Sequence, residues 1–100
     1  MRQGTTPEFV FELPFDTEGI KNAKIIFVTY GGYKLEKRLD DCAFEGNKIK
    51  VRLSQAETFR FDCTHPLKVQ LRILTKGGDA LTSETFCVDI NECLDNEVLA

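Results

Sequence analysis

Apolar and polar residues alternate most regularly between Leu67 and Ile73, where Leu67, Val69, Leu71 and Ile73 are interleaved with Lys68, Gln70 and Arg72. A period of two puts one set on each face of an extended chain, so a half-buried strand is expected. Lys76-Gly77-Gly78-Asp79 then supplies residues tolerant of positive φ, and Phe86, Val88 and Ile90 resume the alternation, which predicts a β-hairpin over Leu67–Ile90. A lone hairpin is marginal in water, so its apolar face needs cover from another sheet.

The preceding residues supply candidates for that cover. Phe9, Phe11, Leu13 and Phe15 alternate with Val10, Glu12 and Pro14, and Pro14, lacking an N–H, marks a strand end or an edge. After a turn at Asp16-Thr17-Glu18-Gly19, Lys21–Tyr30 is the least polar segment, apolar on both faces from Ile25 to Val28, as a central strand requires. Gly31-Gly32 reads as a two-residue hairpin turn into Tyr33–Leu39, whose inner side is interrupted by Lys37 in the manner of an edge strand. Asp40-Asp41-Cys42 leads through Phe44 to a turn at Glu45-Gly46-Asn47, and Ile49, Val51 and Leu53 alternate with Lys48, Lys50 and Arg52. Ser54 and Glu57 have capping-box spacing, which predicts one helical turn, with Phe59 and Phe61 entering the core beyond it. The whole reads as one all-β domain over residues 1–100, an antiparallel sandwich of six or seven strands, with residues 1–7 a flexible lead-in and 94–100 a flexible tail.

Composition fits this reading. Forty-two per cent apolar residues, with eight Phe and no Trp, give core material for a chain of 100 residues, and 29% charged residues make an ordinary surface. A net charge of −3 disfavours a phosphate-backbone partner, so no nucleic acid is expected. The longest apolar run, Ile25–Tyr30, is far short of the roughly 20 residues that span a bilayer. MRQGTTPEF carries no apolar signal region, so a cytoplasmic origin is expected.

Candidate chemistry is sparse. Cys42, Cys63, Cys87 and Cys93 include no C-x₂-C pair, so a zinc site would have to be assembled from separate loops. Free thiols are the expectation for a reducing compartment, those embedded in strands behaving as buried hydrophobes, with Cys87 facing away from the inward set or buried in a second layer. A disulfide among Cys42, Cys63 and Cys93 is the alternative after release from the cell. His65, the single histidine, lies two residues from Cys63, and residues two apart in an extended segment sit roughly 6.5–7 Å apart, long for a catalytic pair. Asp40, Asp41, Asp89, Glu92 and Asp95 form no calcium-loop pattern. Gly31-Gly32 and Gly77-Gly78 open no helix and so are turn glycines, not phosphate cradles. No catalytic, cofactor or metal residue is expected.

Three stretches carry a resemblance: MRQGTTPEFVFELPFDTEGIK, EGNKIKVRLSQAETFRFDC, and VQLRILTKGGDALTSE through CLDNEVL. In these the chain resembles a family of small proteins of siphophages and prophages of gut Firmicutes, which implies a phage origin. The second half is also similar in pattern to the N-terminal immunoglobulin-like domain of phage baseplate upper proteins: an alternating strand, a short helical turn, then a long hairpin. What this implies is an immunoglobulin-like sandwich acting as a non-enzymatic structural or assembly protein of the tail or baseplate. Its partners would be other phage structural proteins or copies of itself, in the host cytoplasm during assembly or in the virion. The interaction surface is expected at Tyr30, Tyr33, Lys34, Glu36 and Arg72, with the strands Phe9–Phe15 and Tyr33–Leu39 as the exposed edges. The alternative function is a carbohydrate-binding module using Tyr30, Tyr33 and the loop at Asp40-Asp41.

Overall fold

The computed structural model describes residues 1–100 as an antiparallel all-β sandwich of two sheets. In chain order the strands are β1 (Glu8–Glu12), β2 (Ile20–Val28), β3 (Lys34–Arg38), β4 (Cys42–Glu45), β5 (Lys48–Arg52), β6 (Leu67–Thr75), β7 (Ala80–Thr82) and β8 (Phe86–Val88), with one helical turn, α1 (Gln55–Phe59), between β5 and β6. One sheet has the order β1-β5-β4, and the other the order β3-β2-β6-β7, with β8 also on β6. β1 and β3 are edges, as expected, and β2 is central.

The inner faces follow the alternation. Ile25 and Phe27 of β2, Ile49 and Val51 of β5, and Leu67 and Val69 of β6 are no more than 1% exposed. Phe9 of β1 meets Phe27 edge-on across the layers at 5.4 Å, and Phe27 stacks on Phe61 at 6.3 Å, so aromatic rings bridge the two sheets at this end. Of the two residues expected beyond α1, Phe61 is buried and Phe59 only half-buried, because the ring of Phe59 serves instead as a seat for the N-terminal segment.

Ser54 caps α1 as its spacing predicts: its Oγ accepts the Glu57 N–H at 3.1 Å, and the Glu57 carboxylate accepts the Ser54 N–H at 2.8 Å. The same carboxylate receives Lys37 Nζ at 2.8 Å. Lys37 is opposite Ile25 in the register and so points inward from β3. It meets a fixed carboxylate there and ties the edge strand to α1.

Three local features differ from the alternation. The β2–β3 connection is not a two-residue turn: Thr29 pairs with Tyr33 (N–H to C=O 3.0 Å), which leaves Tyr30, Gly31 and Gly32 as the loop. Gly31 and Gly32 take φ of 98° and 97°, which a side chain would resist. Cys42–Glu45, expected as a connection, is a strand on β5, with Phe44 opposite Ile49. The return from the β6 turn is interrupted: between Arg72↔Thr82 and Val69↔Phe86, two residues of β6 oppose Ser83, Glu84 and Thr85. There the Leu71 N–H donates to Ser83 Oγ at 2.9 Å, and the extra residue reverses the facing of everything beyond it. Phe86 and Val88 therefore share the face of Val69 and Leu67, and Cys87 is turned outward.

Residues 1–7, expected as a flexible lead-in, are held at several points. Arg2 bridges Asn91 in parallel, the Gln3 side chain donates to the Phe61 carbonyl at 2.7 Å, and the buried Thr58 hydroxyl accepts the Gly4 N–H at 3.0 Å. Gly4 is required by the approach, because a Cβ there would lie 2.6 Å from the Phe59 ring. In the tail, Leu99 exchanges two hydrogen bonds with the Gln55 side chain, at 2.9 and 3.1 Å.

Candidate functional site

The outward face of the larger sheet is built from the polar positions of β3, β2 and β6. Pairing places Arg38, Lys24 and Arg72 directly opposite one another across three adjacent strands. Two residues along come Glu36, Ile26 and Gln70; two further come Lys34, Val28 and Lys68, with Cys87 of β8 beyond Lys68. Five cations thus share a face with one carboxylate, in a chain whose net charge is −3. Adjacent strands lie about 4.8 Å apart, so the first row puts three like charges within about 10 Å, an arrangement that destabilises a sheet.

Glu36 offsets part of this. Its carboxylate lies 3.2 Å from Lys24, 3.3 Å from Lys34 and 3.2 Å from Arg38, and these partners, Lys24 foremost, hold it below the ordinary carboxylate range. Lys68 and Arg72 are in no ion pair. A shallow depression of about 250 Å³ runs beside Lys24, Arg38 and Arg72. The outward face of the smaller sheet differs: Glu8 opposes Arg52, Glu12 and Glu45 flank Lys48 from either side, and Lys50 reaches Glu45 diagonally at 2.8 Å. Its charges are matched within the face.

At the Lys34–Lys68 end, the exposed Tyr30 ring stacks on His65, centroids 3.7 Å apart and planes 17° from parallel. His65 is positioned by its loop, where Asp62 Oδ2 accepts the Thr64 hydroxyl at 2.6 Å and the backbone N–H groups of Thr64 and His65 at 3.0 and 2.9 Å. Those bonds, the Thr64 hydroxyl first, outweigh desolvation and lower the Asp62 carboxyl. The Asp62 N–H in turn donates to the buried Thr29 hydroxyl at 2.7 Å, which anchors the loop to the end of β2. The stack borders a hollow of about 260 Å³, with Val28, Lys68 and Cys87 on its other sides. A second concavity, about 470 Å³ and mostly apolar, opens between β1 and β8, where Phe11 and Phe86 approach to 6.3 Å.

The expected surface residues are only partly brought together. Lys34, Glu36 and Arg72 share the outward face and Tyr30 stands at its rim, but Tyr33 points inward, packing on Phe61 at 6.3 Å under the Arg60 guanidinium at 3.8 Å. Asp40 and Asp41 lie beyond the far end of β3. Five residues at about 3.3 Å each separate them from the tyrosines by about 17 Å, so the expected carbohydrate site does not assemble. Asp41 is occupied locally, accepting the Arg38 N–H at 2.9 Å. Lys24 and Arg38 were not among the expected residues; their outward parity was legible, and their neighbours were not.

The four cysteines are free. None is fully buried, contrary to the expectation for strand thiols: Cys63 and Cys87 are exposed, Cys42 and Cys93 half-buried. Burial and then Asp41 push the Cys42 thiol up, leaving it the less reactive form. No group of three or more His, Cys, Asp or Glu is placed to hold a metal, and no helix is long and apolar enough to cross a membrane. No protein-family model matches the chain, and no curated protein matches it.

Proposed function

We propose that this protein is a non-enzymatic structural or assembly module that works through protein–protein contacts on the outward face of its larger sheet. The observation that carries the reading is the Arg38–Lys24–Arg72 row: like charges held side by side cost stability, and an acidic partner surface would offset that cost. Uncharged Ile26 and Val28 between the cations give such a contact an apolar centre. The setting, a phage tail or baseplate assembled in the host cytoplasm, rests on the sequence resemblance. Mass spectrometry of purified particles tests it, with the chain expected among the virion proteins; absence from particles together with expression early in infection would remove the structural role.

A second reading follows from the Tyr30–His65 stack, whose exposed ring beside a hollow suits the apolar face of a sugar. It predicts binding on a glycan array that is lost in Tyr30→Ala and kept in Tyr33→Ala, since Tyr33 points inward.

A further inference from the structure

We infer that the partner of the basic face is a second copy of this chain, contributing its acidic 89–99 segment. The inference rests on the assembly reading above and names the partner. Asp89, Glu92, Asp95 and Glu97 put four carboxylates in this segment without a single Lys or Arg. None of them is in an ion pair, just as Lys68 and Arg72 on the sheet face are in none. One chain thus carries an unpaired set of each sign in two places. The apolar residues correspond as well: Leu94, Val98 and Leu99 are 103%, 50% and 69% exposed, and Ile26 and Val28 lie among the cations of the face. An extended acidic segment with interspersed apolar side chains matches the face in charge and in polarity.

A phosphate backbone fits less well. Glu36 stands between the two cation rows and would repel an unbroken line of anions, whereas side-chain carboxylates separated by Leu94 can straddle it.

The test is sedimentation of the full chain across a salt series. Self-association is expected at low salt and its loss at high salt. Arg72→Glu should weaken association about tenfold or more, and so should Asp95→Arg, while an equimolar mixture of the two variants recovers it. Lys50→Glu, on the smaller sheet, serves as the control and should leave association unchanged. Thermal unfolding of each variant separates loss of contact from loss of fold.

A wild-type chain that stays monomeric at low salt would overturn the inference while leaving the assembly role to be decided by particle composition. Association that survives both high salt and Arg72→Glu would place the contact elsewhere, with the apolar concavity at Phe11 and Phe86 the first place to look. Salt-dependent binding of single-stranded DNA that is lost in Arg72→Glu, by a chain that does not self-associate, would also overturn it, in favour of a nucleic-acid face.

Discussion

Leu71 and Arg72 are neighbours in β6 and face different surroundings, Leu71 being 5% exposed in the core and Arg72 standing in the cation row. Leu71→Ala removes a packed side chain from a core that cannot fully close over the gap, and a loss of about 2–5 kcal/mol is expected. Arg72→Ala leaves no cavity and removes repulsion from Lys24, so its effect should stay within about 0.5 kcal/mol, on the stabilising side if on either. Denaturant unfolding of both variants checks the contrast, and equal losses would contradict the register that separates the two faces.

Among elements, the Lys37–Glu57 pair makes an edge strand depend on a helix cap. Burial pushes the Glu57 carboxyl up, but the Lys37 ammonium and the Ser54 N–H outweigh burial and leave it below the ordinary value of 4.5. A carboxyl depressed by folding contributes stability that is complete above its unfolded value and is lost as pH falls through its lower folded value. Lys37→Met should therefore lose less stability than the wild type as pH falls through and below the ordinary carboxylate range, measured by denaturant midpoints; parallel curves would mean that the pair contributes nothing. The sequence disclosed this cap through the Ser54 and Glu57 spacing, and disclosed β6 through unbroken alternation. β4 was hidden because Cys42-Ala43-Phe44-Glu45 has a single bulky apolar residue and no alternation to read. The bulge at Ser83 was hidden because a hydroxyl replacing a ladder partner leaves no periodic trace, and the loop place of Tyr30 because Gly31-Gly32 suits a two-residue turn equally well. The candidate surface was legible as parity along each strand, while its concentration of charge depended on strand order, which arises from long-range pairing.

For the molecule as a whole, the two outward faces divide the work. The smaller sheet balances its own charges and the larger one does not, so rising salt should act mainly on the larger sheet's contacts. The segments at residues 1–3 and 89–91 close the same structure, the Met1 amino group donating to the Asp89 carbonyl at 2.9 Å, and the Gln55 side chain holds Leu99, so that the acidic stretch is presented between two anchor points.

The place of β2 between β3 and β6 also governs the time course of folding. The β2–β3 hairpin can close as soon as it is made, but the other edge of β2 has no partner until Leu67–Thr75 exists. At translation rates of about 5–20 residues per second, the intervening chain takes about 2–8 s to appear, far longer than a hairpin needs to form. During that interval the nascent chain holds its most apolar strand with one edge unpaired, and a fold built on such distant pairing is expected to fold in milliseconds to seconds once complete. The newly made chain is thus most prone to aggregation before Leu67 emerges, when inward-pointing Lys37 already blunts the opposite edge of the hairpin.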